Sequence, residues 1–215
     1  MSEVVTIFGR RGTGKSTLAA GLLQDRRRVV VFDPQWEYGR FEPVETVAEL
    51  AEAMVTDWTG FRASYRPDGE GDLIAQLHEV AAAIWKVQAG FQAGTSTLEM
   101  TLAVDEANLS YPASQLPRDQ RGMQRLTLQG RHRGVSLVAI SQRPALVSAD
   151  LRGNADRSFI FALSSVDDRE TVSRQYGREH LPAITGLPLY KYIEFREGQK
   201  VSESDGETRR KVKIA

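Results

Sequence analysis

The sequence contains no cysteine, which excludes disulfides and thiolate metal sites and fits a reducing compartment. It carries no net charge, because 28 lysines and arginines balance 28 aspartates and glutamates. That balance removes any global electrostatic case for nucleic acid or an anionic membrane as partner, though not for a local basic surface. No apolar run approaches the ~20 residues of a membrane-spanning helix, so no transmembrane segment is expected. The opening MSEVVTIFGR carries an acid and runs directly into a strand, unlike a signal peptide. A cytoplasmic location is the resulting expectation. There is no internal repeat, and the one low-complexity stretch is the polar, charged tail from Glu197.

What is present is a composition of 41% hydrophobic and 26% charged residues, ordinary for one soluble domain with a real core. Short β-branched runs alternate with amphipathic segments. The pattern predicts strands at residues 3–8, 28–33, 61–65, 98–105, 135–141, 157–163 and 189–195. It predicts helices from Ser16, over 44–58, from Asp72 to near Gly90, over 120–130 and over 167–176. Short apolar strands separated by helices imply an α/β fold with a mostly parallel central sheet covered on both faces. Residues 1–196 are expected to form this domain, and 197–215 an edge hairpin or flexible end.

Gly9-Arg10-Arg11-Gly12-Thr13-Gly14-Lys15-Ser16 fits G-x-x-x-x-G-K-[ST] in full and lies between a predicted strand and a predicted helix. Such a loop turns successive N–H groups toward phosphate oxygens, and the helix dipole adds to them. Gly9, Gly12, Thr13, Gly14, Lys15, Ser16 and Thr17 are the expected nucleotide-binding residues. Lys15 should reach the β- and γ-phosphates and Ser16 should ligate magnesium, so ATP and Mg2+ are the expected ligands. Arg10 and Arg11 are either solvated charge or contacts to a neighbouring subunit.

Leu102-Ala103-Val104-Asp105-Glu106 is an apolar strand ending in two acids. Asp105 suits a magnesium-holding role through water, and Glu106 a water-activating one. This order favours a hydrolytic ATPase over a kinase. No Asn-Lys-x-Asp guanine motif occurs, and no Leu-Ser-Gly-Gly-Gln signature of transporter ATPases. Asp33 and Glu37, in FDPQWEYG, should emerge on the same rim as the phosphate loop, where open parallel sheets bind ligands. The strand Val135–Ser141 should lie beside the first strand and bring Gln142 near the γ-phosphate. Arg131 precedes that strand, at the far end of the sheet from its own nucleotide. It can reach a nucleotide bound to a neighbour in a ring, where an inserted arginine supplies about 10³–10⁵ in rate.

Five segments in order, GRRGTGKST, FDPQWEYG, LAVDEA, GRHRGVSLVAISQRP and NADRSFIFALSSVDDRETV, resemble the ATPase core of the FtsK–HerA superfamily of DNA-pumping motors. They span residue 4 to about 176. The spacing of Arg131, Gly134 and Gln142-Arg143-Pro144 carries much of the likeness. The resemblance implies a RecA-like P-loop NTPase of the additional-strand, catalytic-glutamate type. It places Lys15, Ser16, Asp105 and Glu106 at the Walker positions, Gln142 at the sensor, and Arg131 at the arginine finger with Arg133 as rival. Glu37 falls at the acid of the family's Asp-x-x-Gly-Glu-Tyr segment, although Gln35-Trp36 departs from it. The chain has no room for the added domains of larger members. It therefore resembles the single-domain genome-packaging ATPases of membrane-containing, tailless double-stranded DNA viruses. That implies a homo-oligomeric ring, pentameric or hexameric, acting on double-stranded DNA in the host cytoplasm or on the virion, with capsid-vertex or viral membrane proteins as partners.

Arg118, Arg121 and Arg125, in the segment after the acid pair, are the foremost DNA-contact candidates, ahead of residues 61–66 and the terminal Arg209-Arg210-Lys211-Val212-Lys213. A solvated surface accounts for each equally well. Competing readings are a cellular or plasmid HerA-like translocase, an ATPase acting on protein in phage assembly or secretion, and a small-molecule kinase.

Overall fold

The computed structural model describes residues 2–203. In chain order the elements are β1 (Val4–Phe8), α1 (Lys15–Leu23), β2 (Val29–Phe32), β3 (Glu42–Val44), α2 (Val47–Thr56), β4 (Arg62–Tyr65), α3 (Leu73–Val87), α4 (Ala89–Gln92) and β5 (Met100–Val104). They continue with α5 (Ala107–Ser110), α6 (Gly122–Gln129), β6 (Val135–Ser141), α7 (Ala149–Gly153), β7 (Arg157–Phe161), α8 (Val166–Tyr176), α9 (Leu181–Thr185), β8 (Tyr192–Arg196) and β9 (Gln199–Glu203).

The strands form one sheet in the order β3-β4-β2-β5-β6-β1-β7-β8-β9. Every pairing from β3 to β7 is parallel, and β8 and β9 add an antiparallel edge hairpin. The strand of the acid pair, β5, is thus separated from the phosphate-loop strand β1 by one inserted strand, β6. All seven residues of β6 are buried, as a central strand covered on both faces requires.

The period of two is visible in β2. Val30 and Phe32 enter the larger hydrophobic cluster, with Leu50 and Met54 of α2, Leu77 and Ile84 of α3 and Leu126 of α6. Val29 and Val31 enter the smaller one, with Ala19 and Leu23 of α1. Two helices show why they start where they do. Thr46 and Glu49 form a reciprocal capping box at the start of α2. Asp72 accepts from the Ile74 N–H at 2.9 Å and opens α3.

Three boundaries differ from the expected ones. The segment expected as one helix over 44–58 begins as β3, which adds to β4, and turns helical only past the Thr46 cap. The long helix from Asp72 stops at Val87, and a short α4 follows. The last long strand begins at Tyr192 rather than 189, because Tyr190 takes a left-handed φ of 66° and breaks the extended run. Residues 197–203 turn back through Glu197-Gly198 to form β9. The basic terminal cluster at 209–213 lies outside the described residues. Among the described residues no helix is long and apolar enough to cross a membrane.

Candidate active site

The phosphate loop leaves β1 at Phe8 and enters α1 at Lys15. Gly12 and Gly14 sit at φ of 76° and 100°, left-handed values at which a Cβ is strained, so the tight curl requires glycine. Gly9 is needed for another reason. A Cβ there would lie 2.5 Å from Cβ of Phe161 on the neighbouring β7. Gly9 does not line the cleft; it lets the loop lie against β7, and its N–H donates to the Ser141 carbonyl at 3.2 Å. Lys15 Nζ and Thr13 Oγ1 both donate to the Arg10 carbonyl, at 3.2 and 2.8 Å, closing the loop on itself. Burial pulls the Lys15 ammonium below its ordinary pKa, against the opposing pull of Glu106, Asp105 and Glu37.

Two clefts flank the loop. One, of about 350 Å³, is lined by Gly12 to Thr17 together with Glu37, Phe161 and Tyr190. The other, of about 400 Å³, brings Lys15, Ser16 and Glu37 together with Asp105, Glu106 and Gln142. These six polar residues come from four chain segments and meet because β2, β5, β6 and β1 end on one rim.

Each is held by its neighbours. Asp33, fully buried, accepts from the N–H groups of Glu37 and Tyr38 at 2.9 and 3.0 Å and from Ser64 Oγ at 2.9 Å. Asp33 is therefore the residue that shapes the turn, and Glu37 the one presented. That turn forces Trp36 to φ 58°, strain of the kind stored at functional sites. Ser16 Oγ donates to Glu37 Oε2 at 3.0 Å. Glu106 is also left-handed, at φ 46° and ψ 50°. This backbone turns its N–H onto Asp105 Oδ1 at 3.1 Å, and its carboxylate accepts from Gln142 Nε2 at 2.5 Å. The expected sensor thus faces the expected base directly. Ser141 Oγ donates to Asn108 Oδ1 at 2.6 Å, tying the end of β6 to α5.

The donor set fits magnesium. The oxygen ligands in the cleft are the Ser16 hydroxyl, the carboxylates of Glu37, Asp105 and Glu106 and the amides of Gln35 and Gln142, and Glu106 and Glu37 crowd Asp105 with like charge. Among those residues no group of three or more carboxylates or imidazoles forms a ready-made cage. Magnesium suits such a sparse set, since it takes one or two protein ligands and completes its shell with water and phosphate.

Burial, then repulsion from Glu106 and Glu37, lifts the Asp105 carboxyl to about 7 despite the Glu106 N–H it accepts. An unfolded aspartate titrates near ~3.9. The folded chain therefore holds this proton more tightly, and the carboxylate costs stability progressively as pH rises from about 4 to about 7. Asp105→Asn should raise the melting temperature of the metal- and nucleotide-free chain at pH 8 by about 5–10 °C, equivalent to about 2–4 kcal/mol. Below pH 4 the two chains should melt together. Thermal denaturation at both pH values checks this, and an unchanged or lower melting point of the variant at pH 8 contradicts it.

The arginines sort by what they touch. Arg133 donates to the Trp85 carbonyl at 3.0 Å and lies 4.3 Å over the Trp85 ring. Arg125 lies 3.9 Å over the same ring, so it is exposed but stacked. Arg131, on the 3-10 turn Gly130–Arg133, is exposed at the opposite end of β6 from Gln142. Arg118 and Arg121 are exposed in the segment between α5 and α6. Two residues of the first cleft, Phe161 and Tyr190, were not foreseen. Phe161 lies within the strand expected at 157–163, which ends in the structure at Phe161 itself; Tyr190 carries no signal in its local sequence.

No family model matches the chain, and no curated protein does. Solved structures do. The genome packaging NTPase B204 from Sulfolobus turreted icosahedral virus 2, in complex with AMP, superposes with a TM-score of 0.70 at 16% identity, over 91% of this chain and 92% of that one. The N-terminal domain of zonular occludens toxin from Neisseria meningitidis gives 0.51 at 18% identity, over 91% and 84%. VirB4 of Thermoanaerobacter pseudethanolicus gives 0.52 at 13% identity, over 92% and 87%. At these identities the likeness is one of fold: the chain has the P-loop NTPase fold, with a mostly parallel nine-stranded sheet, that it shares with B204 over nearly the whole of both chains.

Proposed function

We propose that this protein is a magnesium-dependent ATPase that works as a homo-oligomeric ring and drives double-stranded DNA, in the manner of a viral genome-packaging motor. The observation that carries the hydrolytic part is the single cleft holding Lys15, Ser16, Asp105, Glu106 and Gln142. Lys15 neutralises the β- and γ-phosphates, which also receive the loop N–H groups. Glu106 takes a proton from the attacking water. Gln142, on the carboxylate now, is placed to orient that water or to meet the γ-phosphate. Ser16 and Asp105 are the residues that would hold magnesium, which when bound supplies charge neutralisation at the phosphoryl oxygens. Glu37, hydrogen-bonded to Ser16, adds a third acid beside them.

The likeness to a genome packaging NTPase over nearly its full length supports the DNA part, as does exposed Arg118 and Arg121 beyond the acid pair. Steady-state ATPase activity titrated with long double-stranded DNA tests it. Turnover should rise with DNA at low salt and lose that stimulation as salt increases, because phosphate contacts release counterions. No stimulation at any salt concentration would sink the DNA reading and leave an ATPase that works on something other than DNA.

A further inference from the structure

Two arginines inside the phosphate loop have no part in the chemistry so far. Arg10 and Arg11 are both exposed, and neither side chain forms a hydrogen bond or ion pair among the described residues. Their surroundings differ. Arg10 borders one outer cleft, beside Gln142, Arg143 and Ser164. Arg11 borders three: the phosphate-loop cleft, the acid-pair cleft and that outer one. Arg11 is the one residue these three clefts share. Of the other nearby cations, Arg143 pairs with buried Asp168 at 2.8 Å, and Lys15 already has its part in the reading above. An extra guanidinium in a loop of converging N–H groups is electrostatically unfavourable until an anion arrives.

We propose that Arg11 is a catalytic residue acting within its own subunit, its guanidinium contacting the terminal phosphoryl group of ATP. This rests on the ATPase reading above. In the step it serves, the water oxygen bonds to the γ-phosphorus and the bond from that phosphorus to the β–γ bridging oxygen breaks. The electron pair leaves on ADP, and the water proton passes to Glu106. Charge spreads over the equatorial oxygens of the transferring group, and a fork of N–H donors stabilises it. Unlike Arg131, Arg11 needs no neighbouring subunit for this.

Calorimetric binding of ADP and of the methylene analogue AMPPCP to wild type, Arg11→Ala, Arg11→Lys and Arg10→Ala separates the possibilities. Arg11→Ala should weaken AMPPCP about tenfold and leave ADP unchanged, with single-turnover hydrolysis slowed by at least as much. Arg11→Lys should fall between, keeping charge but not the fork. Arg10→Ala should keep the wild-type ratio, because it removes the same charge from the same loop but borders neither nucleotide cleft. Equal losses for both ligands, no loss, or the same loss in Arg10→Ala would overturn the assignment while the ATPase reading stands. A wild-type chain that binds neither nucleotide would overturn both.

Discussion

Glu106→Gln should lower the turnover of ATP about 10²–10⁴-fold while ATP binding stays within about twofold of wild type. The magnitude follows from what the substitution removes. The carboxylate accepts from Gln142 Nε2, and an amide oxygen in its place still accepts. Shape and hydrogen bond survive, and so does the left-handed backbone at φ 46°, because the Asp105 carboxylate that receives its N–H is untouched. Basicity is lost, together with a negative charge that presses on Asp105 and holds Lys15. Steady-state kinetics with equilibrium binding of a fluorescent ATP analogue reads both quantities. Turnover within about threefold of wild type would show that another group activates the water.

Arg131→Ala is expected to cost about 10³–10⁵ in turnover, again with ATP binding retained. Arg131 is exposed, and it lies beyond the start of β6, while Gln142 lies beyond its end. Seven residues of strand separate the ends by about 20 Å, so Arg131 cannot serve the site of its own subunit. Arg133 has a different task. With its guanidinium on Trp85 and on the Trp85 carbonyl, Arg133→Ala should lower stability by about 1–2 kcal/mol and spare hydrolysis per folded subunit. A mixing experiment isolates the trans role. Arg131→Ala and Glu106→Gln should each be inactive alone, but in a mixed assembly the first would offer an intact site and the second an intact finger. Mixing should restore turnover above that of either alone. Activity that stays at the sum of the two separate variants would place Arg131 outside the neighbour's site.

Much of this site was legible in the residues, because its signals are local in the chain. The left-handed glycines, Lys15 and Ser16 are dictated by eight consecutive residues and by the strand and helix on either side. Apolar strands ending in Asp105-Glu106 and in Ser141-Gln142 are local too, and they imply a shared rim in any parallel sheet. The short strand at Pro43 and the break at Tyr190 were harder, because pairing with β4 and a left-handed turn outweighed the local pattern.

The sequence by itself determined a P-loop α/β domain, its phosphate loop, its acid pair and the insertion of one strand beside β1. Only the tertiary structure decided the partners. It set Gln142 against Glu106 and Ser16 against Glu37, made Asp33 the shaper of a turn, consigned Arg133 to Trp85, and brought Phe161 and Tyr190 to the nucleotide cleft. Each of these depends on side chains from segments far apart in the chain. Hydrogen bonds and stacking act within a few ångströms, so their partners are chosen only once the sheet has closed.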